Sequence, residues 1–466
     1  MERAELARRL GAARMAPEPH DVVVGEREPA RFRAALAGAV AAGGTVFLAN
    51  PDWGTAERTQ FDALVATSAQ RSTLNVEPST SKCRVRAESG STARAGDGAG
   101  PDWQSKFQIP NSKFDFGWLC IPTGGSSGRL KLARHDQDTL HPAVRGFAAH
   151  FGVTRLNAVG VLPLHHVGGL MGWLRCALTG GEFLDLEWKT LEAGKMPALP
   201  MKEEGWFLSL VPTQLHRLLA RPAMVAWLRE FRAVLVGGGA LWPELAEAAA
   251  KAGVPLAPTY GATETAAAAA ALRPAEFLAG RRGCGTALPH ARVTVAVDGS
   301  IRVESESLFR GYWPDWREPG VWPTGDRGGL DEHDGLQVLG RSDALIVTGG
   351  EKVDPAEVEA ALRASGEFDD VAVLGVPDPE WGSAVVACYP AGGRSPDSAR
   401  LAAALTPFAA HKHPKRWVAL TGWPRNAAGK LDRGELARRA NAVSGGMDGS
   451  PGRDRSATGR DHIFPP

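Results

Sequence analysis

The sequence predicts an α/β protein: a large N-terminal domain of doubly wound, mainly parallel sheets with a small β unit, followed by a small, mobile α+β C-terminal domain. Three observations carry this. From residue 29 to about residue 260, short apolar runs alternate with helix-length amphipathic segments, the pattern of a parallel sheet with crossover helices. Past Gly283 the texture changes to paired short runs around Asp298-Gly299-Ser300, a hairpin signal. After Asp343, strands and helices alternate once more. With 466 residues the chain is long enough for two or three cores.

Met1 to Leu10 alternates charged and apolar residues and reads as an amphipathic helix rather than a signal peptide. Pro29 to Ala42 has helical spacing with proline in its first turn, Gly43-Gly44 stops it, and Thr45 to Leu48 reads as a buried strand. Ser68 to Trp103 is rich in Ser, Thr, Arg, Gly and Ala. So few large apolar residues cannot offset the ordering entropy, and a mobile loop over about 68–103 is expected, with an ordered surface excursion as the alternative.

Trp118 to Ile121 is a strand, and Asp136 to His150 a helix. Asn157 to Leu162 is a strand running into Pro163-Leu164-His165-His166-Val167-Gly168-Gly169. Trp206 to Val211 and Phe231 to Val236 are strands. The first leads into a helix opening Pro212-Thr213-Gln214-Leu215, the second into Gly237-Gly238-Gly239. The helix Trp242 to Ala252 and the run Leu256 to Pro258 then reach Thr259-Tyr260-Gly261-Ala262-Thr263-Glu264-Thr265. Val293 to Val297 and Ile301 to Glu304 form the hairpin, and Gly335 to Leu339 runs into Gly340-Arg341-Ser342-Asp343. Further on come a helix Pro355 to Arg363, strands Val371 to Gly375 and Ala384 to Tyr389, and helices Leu401 to Phe408 and Asp432 to Arg439. Residues 443–466 read as a disordered tail.

The formal net charge of +1 offers no nucleic-acid surface. Five scattered cysteines form no Cys-x-x-Cys pair, which argues against a zinc knuckle, and their odd number suits a reducing compartment. No apolar run is long enough to span a bilayer, so a cytoplasmic location is the default expectation.

The stretch with the densest chemistry is Ile121-Pro-Thr-Gly-Gly-Ser-Ser-Gly-Arg-Leu-Lys131. Three glycines and three hydroxyls bare backbone N–H groups and side-chain donors, which suits a chain of phosphate oxygens. A flexible turn fits the stretch by itself equally well. No Gly-Lys-Ser/Thr closes it, so it is not a Walker A loop. His165 and His166 sit where open α/β sheets place ligands, beyond the carboxyl end of a strand.

In order, these pieces resemble the adenylate-forming enzymes: acyl-CoA ligases, luciferases and peptide-synthetase adenylation domains. The resemblance runs from about Trp118 to Arg439. It rests on Thr123 to Lys131 as phosphate loop, Tyr260-Gly261-Ala262-Thr263-Glu264, Thr324-Gly325-Asp326, Gly340-Arg341-Ser342-Asp343 with Gly349-Gly350-Glu351, and Asn426-Ala427-Ala428-Gly429-Lys430. The resemblance implies ATP, Mg²⁺ and CoA as cofactor and co-substrates. It implies domains at 1–340 and 344–442 around a hinge at 341–343.

By the same resemblance, Thr123, Gly124, Gly125, Ser126, Ser127 and Gly128 would hold the β- and γ-phosphates. Lys131 would add charge there, although a solvated lysine fits it as well. Glu264 would hold Mg²⁺, Thr263 would approach the α-phosphate, and Tyr260 and Gly261 would face adenine. Asp326 would accept from the ribose hydroxyls and Arg341 would contact ribose or phosphate. Lys430 would bridge the attacking carboxylate and the α-phosphate, Asp343 would be the pivot, and Gly349 and Gly350 would face the thiol channel.

Within the family, Leu162 to Leu170, Ser209 to Leu215 and Val234 to Leu241 resemble o-succinylbenzoate–CoA ligases. This makes His166, Thr213, Gln214, Gly238 and Gly239 pocket candidates, with His166 either a wall or a catalytic donor. Other aryl- or fatty-acyl-CoA ligases, and enzymes loading a carrier protein in trans, are the alternatives. Partners would be the acid, ATP and CoA, with no nucleic acid and no membrane insertion, and a homodimer left open. Two departures stand out: Gly124 and Leu130 replace the family's usual Ser or Thr and Pro, and the region before Trp118 is short.

Overall fold

The computed structural model describes residues 2–12, 19–53, 55–73, 117–124, 130–200, 203–348, 351–378, 381–392, 395–425 and 431–445. The α/β fold class expected from the sequence is the one observed.

The first sheet has four strands: β1 (His20–Val24), β2 (Gly43–Leu48), β3 (Leu119–Gly124) and β4 (Leu130–His135). β1, β2 and β3 are parallel, and β3 and β4 form an antiparallel hairpin. The second sheet runs β11-β10-β9-β8-β7-β5-β6. Its members are β5 (Asn157–Gly160), β6 (Phe183–Asp185), β7 (Trp206–Leu210), β8 (Ala233–Val236), β9 (Leu256–Ala262), β10 (Ala267–Ala271) and β11 (Thr286–Ala287). β6, β5, β7, β8 and β9 are parallel, while β10 and β11 turn antiparallel at one edge. Covered on both faces, the central strands are almost wholly apolar: all four residues of β8, Ala-Val-Leu-Val, are buried.

The third sheet is the expected small antiparallel unit: β12 (Ala291–Val295), β13 (Ser300–Ser305), β14 (Trp322–Leu330) and β15 (Leu336–Arg341). Beyond it lie a two-stranded ribbon, β16 (Ile346–Thr348) with β17 (Glu351–Val353), and a three-stranded sheet, β18 (Ala372–Asp378), β19 (Gly382–Pro390) and β20 (Arg416–Leu420).

The structure refines several expected boundaries. Gly43 and Gly44 open β2 rather than merely ending the preceding helix Pro29–Ala41. They must be small: a Cβ on Gly44 would lie 2.2 Å from the His20 carbonyl. The expected loop at 68–103 begins inside a helix, Thr55–Thr73, and its remainder lies outside the described residues. The last helix, Arg433–Gly445, continues past the expected start of the tail at 443. Tyr260, Gly261 and Ala262 belong to β9 itself, and Thr324-Gly325-Asp326 to β14.

Candidate active site

Because β5, β7, β8 and β9 are parallel neighbours, their carboxyl ends share one edge of the sheet. His166 follows β5, Thr213 and Gln214 follow β7, Gly238 and Gly239 follow β8, and Thr263 and Glu264 follow β9. The fold thus gathers sequence-distant candidates at the place where open α/β sheets bind ligands.

Glu264 is the chemical centre of that edge. It lies in a 3₁₀ turn, Thr263–Thr265, whose Thr265 hydroxyl bonds the Ala262 N–H at 2.9 Å. Ala266 (φ 51°) and Ala267 (φ 77°) then reverse the chain into β10, a left-handed pair that non-glycine residues enter only under strain. Glu264 is only 7% exposed. Its Oε1 accepts from the Tyr312 hydroxyl at 2.6 Å, and among the described residues no donor is bonded to Oε2. The β3–β4 hairpin packs onto this turn. His135 at the end of β4 sets its Nε2 2.8 Å from the Thr263 carbonyl, and Lys131 Nζ lies 4.7 Å from the Tyr312 ring centroid. Burial pushes the His135 imidazole down to about 4, so it is neutral at physiological pH.

No cluster of three or more metal-ligating side chains occurs among the described residues. A magnesium ion does not need one, since it binds through one or two carboxylates plus substrate phosphates and waters. Glu264, with one oxygen committed and one open beside the β3–β4 hairpin, fits that donor set.

Across the site, Asp326 and Arg341 are register partners on β14 and β15. Asp326 Oδ2 accepts from the Tyr260 hydroxyl at 2.7 Å, and Arg341 Nη1 reaches Asp326 Oδ1 at 3.3 Å and the Thr324 carbonyl at 3.1 Å. Burial and the Asp326 carboxylate push the Tyr260 phenol up, keeping it a neutral donor. Gly325 has φ 77°, and a Cβ there would lie 3.0 Å from the Arg341 guanidinium. Gly261 is equally constrained, since a Cβ would lie 1.8 Å from the Ala267 carbonyl. Tyr260, Gly261, Asp326 and Arg341 therefore come together.

On the acid side, His166 is the N-cap of the helix Val167–Thr179, its ring 4.4 Å from that of His165. Desolvation pushes His165 down to about 3, leaving it neutral. Gln214 spends its side-chain carbonyl on the Val211 N–H at 3.0 Å, a helix-capping role, while Thr213, Gly238 and Gly239 are exposed. Sequence reasoning missed Arg175. Its guanidinium is 6% exposed, stacks 3.8 Å over Phe147, and lines a small cavity with Gly172, Phe207, Ser209 and Leu235. Among the described residues its Nε has no hydrogen-bond partner and no carboxylate pairs with it. Burial lowers it to about 10, so it still carries its charge at neutral pH.

Thr123 and Gly124 end β3, and Leu130 and Lys131 begin β4. Gly125, Ser126, Ser127 and Gly128 between them lie outside the described residues, as do Gly349, Gly350 and Lys430. Asp343 falls in the turn Ser342–Ala344 directly after β15.

A buried carboxylate with one open oxygen beyond β9, and the Tyr260–Asp326–Arg341 set that joins β9 to β14 and β15, make a site of the kind a nucleotide and its phosphates require. Residues 2–313 match the family described as AMP-binding enzyme and residues 357–430 its C-terminal domain, and the chain belongs to that family of adenylate-forming enzymes. It is 34% identical to the 2-succinylbenzoate–CoA ligase of Geobacillus kaustophilus (strain HTA426), over 68% of this chain and 68% of that one. It is 32% identical to the indoleacetate–CoA ligase of Aromatoleum aromaticum, over 74% of this chain and 70% of that one. The o-succinylbenzoate CoA synthetase of Bacillus subtilis, solved with its acyl-adenylate intermediate, superposes with a TM-score of 0.68 at 21% identity, covering 93% and 91% of the two chains. ATP-bound MatB from Rhodopseudomonas palustris gives 0.70 at 22%, covering 95% and 92%. At such identities these two structures speak for the fold. Among the described residues no helix is long and apolar enough to cross a membrane.

Proposed function

We propose that the protein is an AMP-forming acid–CoA ligase acting on 2-succinylbenzoate. In the first half-reaction a carboxylate oxygen of the acid attacks the α-phosphorus of ATP. The bond to the β-phosphate oxygen breaks, and pyrophosphate leaves with that electron pair. In the second, the thiolate of CoA attacks the acyl carbon and AMP departs, giving the thioester.

The chain's residues divide this work. Asp326 accepts from the ribose hydroxyls while Tyr260 and Arg341 hold its carboxylate in place. Thr123 and the N–H groups of the following loop hold the distal phosphates, and Lys131 adds positive charge at the base of the hairpin. Glu264 holds Mg²⁺, which when bound neutralises charge on the phosphate oxygens. Thr263 faces the α-phosphate. Lys430 bridges the attacking carboxylate and the α-phosphate. Rotation of residues 344–442 about Asp343 then exchanges that lysine for Gly349 and Gly350 at the thiol channel.

The observation that carries the choice of acid is Arg175. A buried cation lacking a protein counter-charge is costly unless something pairs with it. The cavity it lines is too small for a ring and lies among β5, β7 and β8, whose carboxyl ends lead to His166, Thr213 and Gly238, and we take it as the closed end of the acid pocket. 2-Succinylbenzoate carries a second carboxylate that can reach that end while its ring lies nearer His166, Gly238 and Gly239. Indoleacetate has no second charge to offer.

The test is incubation with ATP, Mg²⁺, CoA and either 2-succinylbenzoate, indoleacetate or benzoate, following AMP and thioester by mass. Thioester from 2-succinylbenzoate is expected. Arg175→Met should lower kcat/KM for that acid by at least about 30-fold, the lower end for truncating a buried charge pair. Thioester from indoleacetate alone, or an Arg175→Met enzyme unchanged toward 2-succinylbenzoate, would overturn the choice of acid and leave the ligase reading standing.

A further inference from the structure

Tyr312 stands between the two charges on which the phosphate end of the site depends. One face of its ring lies under the Lys131 ammonium, 4.7 Å away, and its hydroxyl donates to Glu264 Oε1 at 2.6 Å. Its backbone is fixed to the same hairpin. Tyr312 bridges to Ala133, the Trp313 N–H donates to the Leu132 carbonyl at 2.8 Å, and the Arg310 N–H donates to the Arg134 carbonyl at 2.8 Å. The Phe309 N–H donates to the Glu264 carbonyl at 2.8 Å, so the segment grips the Glu264 turn through its main chain as well.

We propose that Tyr312 is the positioning residue of the metal-bearing carboxylate: its hydroxyl occupies Oε1 so that Oε2 alone faces the metal, and its ring keeps Lys131 and Glu264 from closing into an ion pair. The inference rests on the reading of Glu264 as the Mg²⁺ carboxylate. A neutral donor steadies the carboxylate and leaves its full negative charge for the cation, whereas a lysine partner would neutralise it. The ring holds the ammonium by its quadrupole, an attraction that fixes position without cancelling charge, so the ammonium stays available to phosphate oxygens. The rival account is a tyrosine that only stabilises the fold, and it predicts no link to metal.

The experiment is a Mg²⁺ titration of ATP binding by calorimetry, without acid or CoA, in the full-length wild type, Tyr312→Phe, Tyr312→Leu, Glu264→Gln and the double variant Tyr312→Phe/Glu264→Gln. Tyr312→Phe keeps the ring and loses the hydroxyl. It should shift the Mg²⁺ midpoint up about tenfold, the scale of one hydrogen bond to a charged group, with metal-free ATP binding unchanged. Tyr312→Leu should also weaken metal-free ATP binding, because Lys131 then collapses onto Glu264. On the Glu264→Gln background, loss of the hydroxyl should add no further shift. A Tyr312→Phe protein that titrates at the wild-type midpoint, or shifts it equally on the Glu264→Gln background, overturns the inference. A wild type whose ATP binding ignores Mg²⁺ would instead remove the metal reading beneath it. Should Tyr312→Leu fail to fold, Tyr312→Phe, which preserves the packing, decides the matter.

Discussion

Replacing Arg310 by methionine tests the joint that ties the segment before Tyr312 to the helix Gln137–Phe151 and the entrance to β3. The Asp136 carboxylate is fully buried and the Arg310 side chain 12% exposed. Arg310 donates through Nε to Asp136 Oδ2 at 2.8 Å and through Nη2 to Oδ1 at 3.2 Å. The same carboxylate accepts the N–H of Gly117 at 2.9 Å, of Asp138 at 2.9 Å and of Thr139 at 3.0 Å, so it caps the helix Gln137–Phe151 and anchors the entrance to β3. Removing one partner of a buried pair costs about 3–5 kcal/mol, because the other charge is stranded. Three backbone donors remain on Asp136, which places Arg310→Met near the lower end, about 3 kcal/mol. Adding Asp136→Asn removes the stranded charge while keeping one oxygen for the Asp138 and Thr139 amides. The double variant should therefore regain about 1–2 kcal/mol over Arg310→Met. A chain with several cores does not unfold as one unit, so the readout is hydrogen exchange at the Asp138 and Thr139 amides, supported by the denaturant midpoint. An Arg310→Met protein within about 0.5 kcal/mol of wild type, or an Asp136→Asn change that adds its full separate cost, would refute the reasoning.

Two further outcomes follow from the same geometry. His135 and His290, held down to about 4, and His165, down to about 3, are neutral in the folded chain at a pH where the unfolded chain protonates them at about 6.5. Unfolded chains bind more protons in that window, so stability should be intact above about pH 6.5 and fall as pH drops toward 4, by up to about 1.4 kcal/mol per pH unit for each histidine. Denaturant midpoints at pH 7, 6 and 5 check this, and a flat profile would count against it. Gly325→Ala should weaken ATP binding several-fold in calorimetry: its φ of 77° disfavours a side chain, and the new methyl would push Arg341 from Asp326. Unchanged affinity would mean that the Asp326–Arg341 pair does not hold the ribose.

The sheets were legible where periodicity and chain chemistry agreed. β5, β7 and β8 are apolar runs bounded by glycine and proline, and the hairpin around Asp298-Gly299-Ser300 pairs Val295 with Ile301 as its turn signal implies. β10 was not legible, because five consecutive alanines have no period and favour helix. They form a strand by pairing antiparallel with the β9 edge, where Gly261 lies so close to the Ala267 carbonyl that it has no room for a methyl. Packing overrides propensity there, and the two left-handed alanines at the reversal bear the strain.

The site divides along a related line. Residues carried by contiguous motifs, such as Tyr260, Glu264, Asp326 and Arg341, could be singled out in the sequence because each motif places several polar groups within a few positions. Arg175, Tyr312 and Arg310 act across long separations, and nothing next to them in sequence distinguishes them. Arg175 is the one charged residue of the largely apolar helix Val167–Thr179, and its burial without a counter-charge among the described residues is what marks it. For Tyr312 a compositional signal did exist. The chain has only three tyrosines, and the hydroxyls of two of them, Tyr260 and Tyr312, bond the carboxylates of Asp326 and Glu264. A phenol that stays neutral beside a carboxylate orients the charge without cancelling it. Phenylalanine would fill both places equally well if packing were the only demand, and in a chain with sixteen phenylalanines the scarce tyrosine falls where the hydroxyl has a carboxylate to hold.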